Sequence, residues 1–285
     1  MKENVPNFLT FDVEEWFDAE IPRRKIKGKT DFATNVEKQV DVFIDICSRL
    51  EVKSTCFVVG NLAKKKPNLV KKLYNAGHEI ASHSYSHKLI YSMSPNEFRN
   101  DLIKSVAILE DITGEKVKGF RAPTWSINSN ISKWYYDVLQ QENITYSSSV
   151  YPAKTFLYGM PEANPNIHFA KDSGVLEIPQ QLANLGLKKI GFSGGTYIRL
   201  FPIFLVKYLI KMKNSQNKSV FLYAHPWELI YEKYSVDLSI FESLIQYYGV
   251  KRNAEKLEKI CLHFKNSFTR MDYYSLGMNN KKLIN

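Results

Sequence analysis

The chain has 285 residues, 44% of them apolar and 24% charged, and 39 basic against 29 acidic side chains give a formal charge of +10. These proportions belong to a soluble globular protein of one large or two modest domains and exclude a disordered or fibrous chain. No stretch approaches the roughly 18 uninterrupted apolar residues of a membrane span.

The first apolar run, Asn7-Phe8-Leu9-Thr10-Phe11, reads as a buried strand stopping at the acidic stretch Asp12 to Glu15. Helical periodicity follows from Asn35 to Leu50 through Val36, Val40, Phe43, Ile44 and Cys47. Thr55 to Val59 is a second strand bounded by Gly60, Pro67 to Ala76 a helix stopped by Gly77, and Gly77 to Ser82 a strand ending in a loop. Pro95 to Thr113 is a long amphipathic helix with Ser94 to cap it and Gly114 to end it. Lys118 to Arg121 is a fourth strand end and Ser132 to Glu142 another helix. Phe156 to Ser173, rich in Pro, Asn and Gly, reads as a long loop. Val175 to Pro179 and Ser219 to Tyr223 supply two more strands. Between them Phe201 to Lys213 is apolar on one face and basic on the other, which fits a surface helix packed on a core or one lying on a membrane. Alternating strands and helices predict parallel βα units.

The reactive side chains gather at strand ends. His83-Ser84-Tyr85-Ser86-His87 follows the third strand; a helical turn there would put both imidazoles on one side, within reach of one metal ion. On its own the segment admits either a metal pair or two hydrogen-bonded loop histidines. Asp12 and Glu14, Arg121, and His225 also follow strand ends. In a (β/α) barrel those ends open onto one face, where active sites are built.

With that constellation the chain resembles the polysaccharide deacetylase family, the NodB-homology carbohydrate esterases (family 4). The likeness rests on Thr10-Phe11-Asp12-Val13-Glu14, His83-Ser84-Tyr85-Ser86-His87, Arg121-Ala122-Pro123-Thr124-Trp125-Ser126 and Leu222-Tyr223-Ala224-His225-Pro226. Glu177-Ile178-Pro179, Gly194-Gly195-Thr196-Tyr197-Ile198-Arg199 and His225-Pro226-Trp227-Glu228 are similar to an exopolysaccharide-associated bacterial branch with a C-terminal extension. The resemblance implies an α/β fold, a distorted seven-stranded (β/α) barrel over residues 1–234, with 235–285 a helical extension packed on it. It implies metal-dependent removal of N-acetyl groups from amino sugars of a bacterial surface polysaccharide or a lipid-linked precursor. Glu14, His83 and His87 would hold a divalent metal, zinc first among candidates. Asp12 would be the general base, paired with Arg121, and His225 the general acid. The backbone N–H of Thr124 would face the oxyanion, and Trp125, like Trp16 and Trp227, would either stack on sugar or pack in the core.

The first motif departs from the common pattern of two adjacent acids, because Val13 stands in the second place. Alternate residues of a strand share a side, so Glu14 is the expected replacement ligand and Glu15 the fallback. For the acid that orients His225, Glu177 is the first candidate and Glu228 a second. His168 reads as a surface residue, His78 and His263 as structural. A hydrolase of formylated sugars or cyclic amides, and a catalytically silent glycan-binding protein, remain as alternatives.

Three unpaired cysteines, Cys47, Cys56 and Cys261, argue against a disulfide framework, and Met1 to Pro6 lacks a signal's apolar core. A cytoplasmic location is therefore expected. The basic pairs and triplets are spread along the chain and build no nucleic-acid-binding module. They suit a solvated surface or peripheral contact with the inner membrane face. Oligomeric state is left open.

Overall fold

The computed structural model describes residues 5–26, 32, 34–155, 158–186 and 188–284. The strands are β1 (Phe8–Val13), β2 (Thr55–Val58), β3 (Glu79–Ser82), β4 (Gly119–Phe120), β5 (Tyr146–Ser147), β6 (His168–Phe169), β7 (Leu176–Glu177), the hairpin β8 (Ala183–Leu185) and β9 (Lys188–Ile190), and β10 (Phe221–Ala224). All but the hairpin join one sheet in the order β10-β1-β2-β3-β4-β5-β7-β6. Neighbours run parallel throughout, except that β6 is antiparallel to β7. The sheet is thus a curled seven-stranded parallel array, with the last strand seated beside the first. Between β7 and β10 the segment Phe192–Gly194 fills the gap. Ser193 Oγ accepts from Gln180 Nε2 at 2.7 Å, and its carbonyl accepts from Tyr223 N at 3.1 Å. The result is the distorted, incompletely closed α/β barrel expected.

The period of two along β1 separates its two faces. Leu9, Phe11 and Val13 pack outward into the layer beneath the helices, with Phe43, Cys47 and Leu62. Phe8 packs inward with Phe57, Ala81, Tyr146 and Phe221. Thr10, Asp12 and Glu14 continue the inward column toward the carboxyl end. The valine at position 13 therefore lies outside that column, in the other layer.

Helices α1 (Glu20–Ile26), α2 (Val36–Leu50), α3 (Gly60–Lys65), α4 (Pro67–Asn75), α5 (Pro95–Thr113), α6 (Ser132–Gln141), α7 (Gly195–Leu200), α8 (Ile203–Ser215), α9 (Ile240–Tyr247), α10 (Asn253–Phe264) and α11 (Met271–Ile284) complete the described chain. Ser94 and Glu97 cap α5 reciprocally, and Gly114 ends it in the left-handed conformation at φ 73°. The last three helices bind opposite ends of the barrel. At the carboxyl end, Arg199 of α7 donates to the carbonyls of Ile245, Gln246 and Tyr248. At the amino end, Met271 N donates to Thr55 Oγ1 at 2.9 Å and Asp272 N to Glu79 Oε2 at 3.1 Å.

Three local readings differ from expectation. β1 runs two residues further than predicted, so Asp12 lies within the strand. The segment after β3 is a loop with no helical turn: Ser84 (φ 62°) and His87 (φ 50°) take left-handed conformations, and Ser84 Oγ accepts from His87 N at 2.9 Å. The stretch expected as a long loop contains β6, while Phe156 within it lies outside the described residues.

Candidate active site at the carboxyl ends of the strands

A cavity of about 320 Å³ opens at the carboxyl ends, lined among others by Asp12, Glu14, His83, His87, Arg121 and His225. These six sequence-predicted residues meet there, as do Thr124 and Trp125.

Glu14, His83 and His87 are buried, and each offers one ligating atom with all three atoms within 4.8 Å of one another. His83 Nδ1 lies 2.8 Å from the carbonyl of Arg121. A carbonyl only accepts, so Nδ1 carries the proton and Nε2 keeps its lone pair toward the cluster. His87 Nε2 lies 2.7 Å from Glu14 Oε2, yet neither ring nitrogen of His87 makes an aligned hydrogen bond. Burial lowers the His83 pKa to about 4 and keeps that ring neutral. Burial also opposes charge on His87 and Glu14, but their mutual attraction wins, raising the histidine and lowering Glu14 to about 2. Two imidazoles around one ionised carboxylate form a donor set that fits a divalent cation, which would take the place of the proton that Glu14 favours on His87. Glu15, the fallback ligand, is turned away: its carboxylate accepts from Thr34 Oγ1 at 3.0 Å, and burial raises it to about 7.

The loop geometry that brings the histidines together has two further anchors. Asp101 of α5 accepts from Tyr85 N at 2.6 Å and Ser86 N at 3.1 Å. The Arg23 guanidinium of α1 donates to the His87 carbonyl.

Beside the cluster, Asp12 Oδ1 accepts from Arg121 Nη1 at 2.6 Å, both residues being buried. Arg121 also donates to Thr10 Oγ1 and to the Oγ and carbonyl of Ser148, and its guanidinium lies 4.1 Å above the Phe57 ring. It is held on all sides, and it fixes the carboxylate that faces the cavity.

His225 Nε2 lies 4.0 Å from Asp12 Oδ2 and 3.9 Å from Glu14 Oε1. Its Nδ1 lies 2.8 Å from Glu228 Oε2, and Glu228 Oε1 accepts from Arg199 Nε at 2.8 Å. Burial disfavours a charged imidazole, but Glu228, with Glu14 and Asp12, outweighs it and raises His225 to about 9. The orienting acid is therefore Glu228. Glu177 belongs to another network, accepting from Ser149 N, Val150 N and Tyr136 Oη.

Thr124 and Trp125 sit in consecutive left-handed conformations, φ 53° and 50°, uncommon for non-glycine residues and frequent at functional sites. Trp125 is mostly a packing residue, with its ring on Phe221 and near Tyr223 and Arg121. Trp16 likewise stacks on Tyr234. Trp227 does more: its indole stacks on His225 with centroids 4.9 Å apart, and Nε1 donates to Glu14 Oε1 at 3.3 Å. Arg199 is the residue that sequence reasoning gave no role. The signal for it was Glu228, three residues after His225, whose second oxygen needs a cationic partner once buried.

Residues 9–144 match the family model described as polysaccharide deacetylase, and residues 148–275 match one described as a domain of unknown function, DUF3473. The chain thus carries a polysaccharide deacetylase domain followed by a DUF3473 region. β10 and His225 fall in the second match, so the barrel draws on both. A peptidoglycan-N-acetylglucosamine deacetylase from Bacillus cereus is 38% identical over 91 residues, covering 32% of this chain and 33% of that protein. A peptidoglycan deacetylase from Helicobacter pylori is 28% identical over 107 residues, 38% of this chain and 35% of that one. This chain therefore matches about a third of the length of either relative. Among solved structures, a Mycobacterium smegmatis protein described as a polysaccharide deacetylase superposes with TM-score 0.63 at 18% identity, covering 99% of this chain and 93% of that one. The PuuE allantoinase superposes with TM-score 0.63 at 15% identity, covering 96% and 91%. At these identities the likeness is one of fold.

Proposed function

We propose that this protein is a metal-dependent N-deacetylase acting on N-acetylated amino sugars of a bacterial surface polysaccharide or its precursor. The observation that carries the reading is the convergence, in one cavity, of a three-ligand cluster with a separate carboxylate and a separate imidazole. Glu14, His83 and His87 would hold the metal, which we take to be zinc from the nitrogen-rich donor set. Once bound, such an ion acidifies water and polarises an acyl oxygen.

The chain's own groups supply the proton transfers. Asp12, held in place by Arg121, takes the proton from the attacking water. His225, charged through Glu228, gives one to the departing amine, and Arg199 holds Glu228 in place. The backbone N–H of Thr124 is the donor for the developing oxyanion. Stacking of Trp227 on His225 fixes the ring plane, so proton donation has one direction.

The test is acetate release from N-acetylglucosamine oligosaccharides, with metal content measured on wild type, Glu14→Gln and Asp12→Asn. The expected result is about one equivalent of metal in wild type and Asp12→Asn, loss of metal in Glu14→Gln, and acetate release in wild type alone. Formate release from N-formylated sugars or opening of a cyclic amide, with no acetate release, would move the reading to the related amidohydrolases. A metal-free wild type, even after incubation with zinc, would sink the catalytic reading.

A further inference from the structure

α7 and α8 contain no acidic residue. On α8 the apolar positions divide: Val206, Leu209 and Ile210 are buried against the protein, while Phe204 is 75% and Tyr208 61% exposed. Those two rings stand one turn apart, with Leu200 46% exposed just before the helix. Lys207 and Lys211, also one turn apart, share the neighbourhood with His263 of α10, whose charged form they oppose together with burial. Leu262, next to that histidine, is 55% exposed.

α7, which leads into α8, reaches the cavity: its Thr196, Tyr197 and Arg199 line it, as do Ile245 and Gln246 of α9. Through Arg199 the two helices are joined, and α9 adds Ile240, Phe241 and Leu244, which are 93%, 68% and 53% exposed. Large apolar side chains gathered on a surface mark an interaction site.

We propose that the α7–α8 face, with α9 beside it, docks on an anionic bilayer surface and holds the cavity mouth at the headgroups. Aromatic rings at headgroup depth with lysines reaching lipid phosphates are the chemistry of an interfacial helix. Charge selects this occupant over a second copy of the chain: two-fold pairing would bring the Lys207 and Lys211 pairs together with no acid on α7 or α8 to compensate, and Glu242 of α9 already pairs with Lys25. Docking stands independently of the deacetylase reading. Its consequence, that the sugar arrives attached to a lipid, rests on that reading.

The experiment is co-sedimentation of the full chain with phosphatidylcholine vesicles, with and without phosphatidylglycerol. Wild type is compared with Phe204→Ser/Tyr208→Ser and Lys207→Gln/Lys211→Gln. Binding is expected only where phosphatidylglycerol is present, weakened about thirtyfold by the lysine pair at roughly one Boltzmann decade per 1.4 kcal/mol and at least tenfold by the aromatic pair. Metal content and acetate release from soluble oligosaccharides, read on the same samples, are expected to be unchanged. Their loss in wild type would count against the deacetylase reading and leave docking untouched. Docking is overturned if wild type stays in the supernatant, if both variants bind like wild type, or if wild type sediments as a dimer that the aromatic pair dissociates.

Discussion

Val13 occupies the place where an acid adjacent to Asp12 would complete the common motif. It is fully buried in the layer under the helices, so chemistry and position disagree there. Val13→Asp would therefore add no ligand. It would bury an unpaired carboxylate among apolar side chains, and we expect a loss of about 3 kcal/mol or more, read from urea midpoints, with metal content per folded protein unchanged. A second metal equivalent, or tighter binding, would contradict this placement. Glu228 is the converse case, the second candidate in the sequence and the one that the structure seats against His225. Glu228→Gln keeps the shape and removes the charge that holds His225. The turnover number should fall on the order of 100-fold while metal content stays at the wild-type level. At this scale the sequence was informative where spacing has a direct geometric meaning: Asp12 and Glu14, two apart on a strand, had to share a side. It was silent on Arg199, whose partner lies 29 residues away through a fold that no local pattern encodes.

Among the elements, long periodic ones were readable and two-residue ones were not. α2 and α5 carry several turns of apolar spacing and firm end signals, so their limits were found within a residue or two. β5 has two residues, Tyr146 and Ser147, too few to show alternation. The loop after β3 is the instructive failure. The spacing His-x-x-x-His has a helical explanation, but the protein reaches the same convergence with two left-handed residues and the anchor Asp101. Asp101→Ala removes both acceptors for Tyr85 N and Ser86 N while leaving every ligand in place. Metal affinity should drop about 10- to 100-fold by competition with a chelator. An unchanged affinity would mean that Ser84 and Arg23 suffice to hold the loop.

Over the whole molecule, the sheet order makes assembly a long-range problem, since β10 must travel back to β1 and such contacts slow folding. The opposite end of the barrel adds a pH dependence. Glu79 accepts from Thr55 Oγ1, Tyr146 Oη and Asp272 N, and burial with the nearby Asp272 charge raises it from 4.5 to about 7. An acid raised in the folded state binds its proton more tightly there than in the unfolded chain. Its stabilising contribution is present below about pH 4.5 and disappears as pH rises through about 7. Glu15, raised to about 7 by burial, acts with the same sign. Thermal melts of Glu79→Gln should show a shallower fall of Tm across that interval than wild type. An identical slope would assign the dependence to other groups.

The seating of His225 and Glu228 in the second half of the barrel, and of Glu14, His83 and His87 in the first, also sets an order of events during synthesis. A ribosome delivers Glu14, His83 and His87 long before it delivers His225, and Arg199 finds its carbonyl partners only after Tyr248 has emerged. A nascent chain can thus present the Glu14, His83 and His87 side chains for much of its elongation before the imidazole of His225 exists. The constellation is complete only after the final strand has joined the first and the carbonyls of Ile245 to Tyr248 have met Arg199.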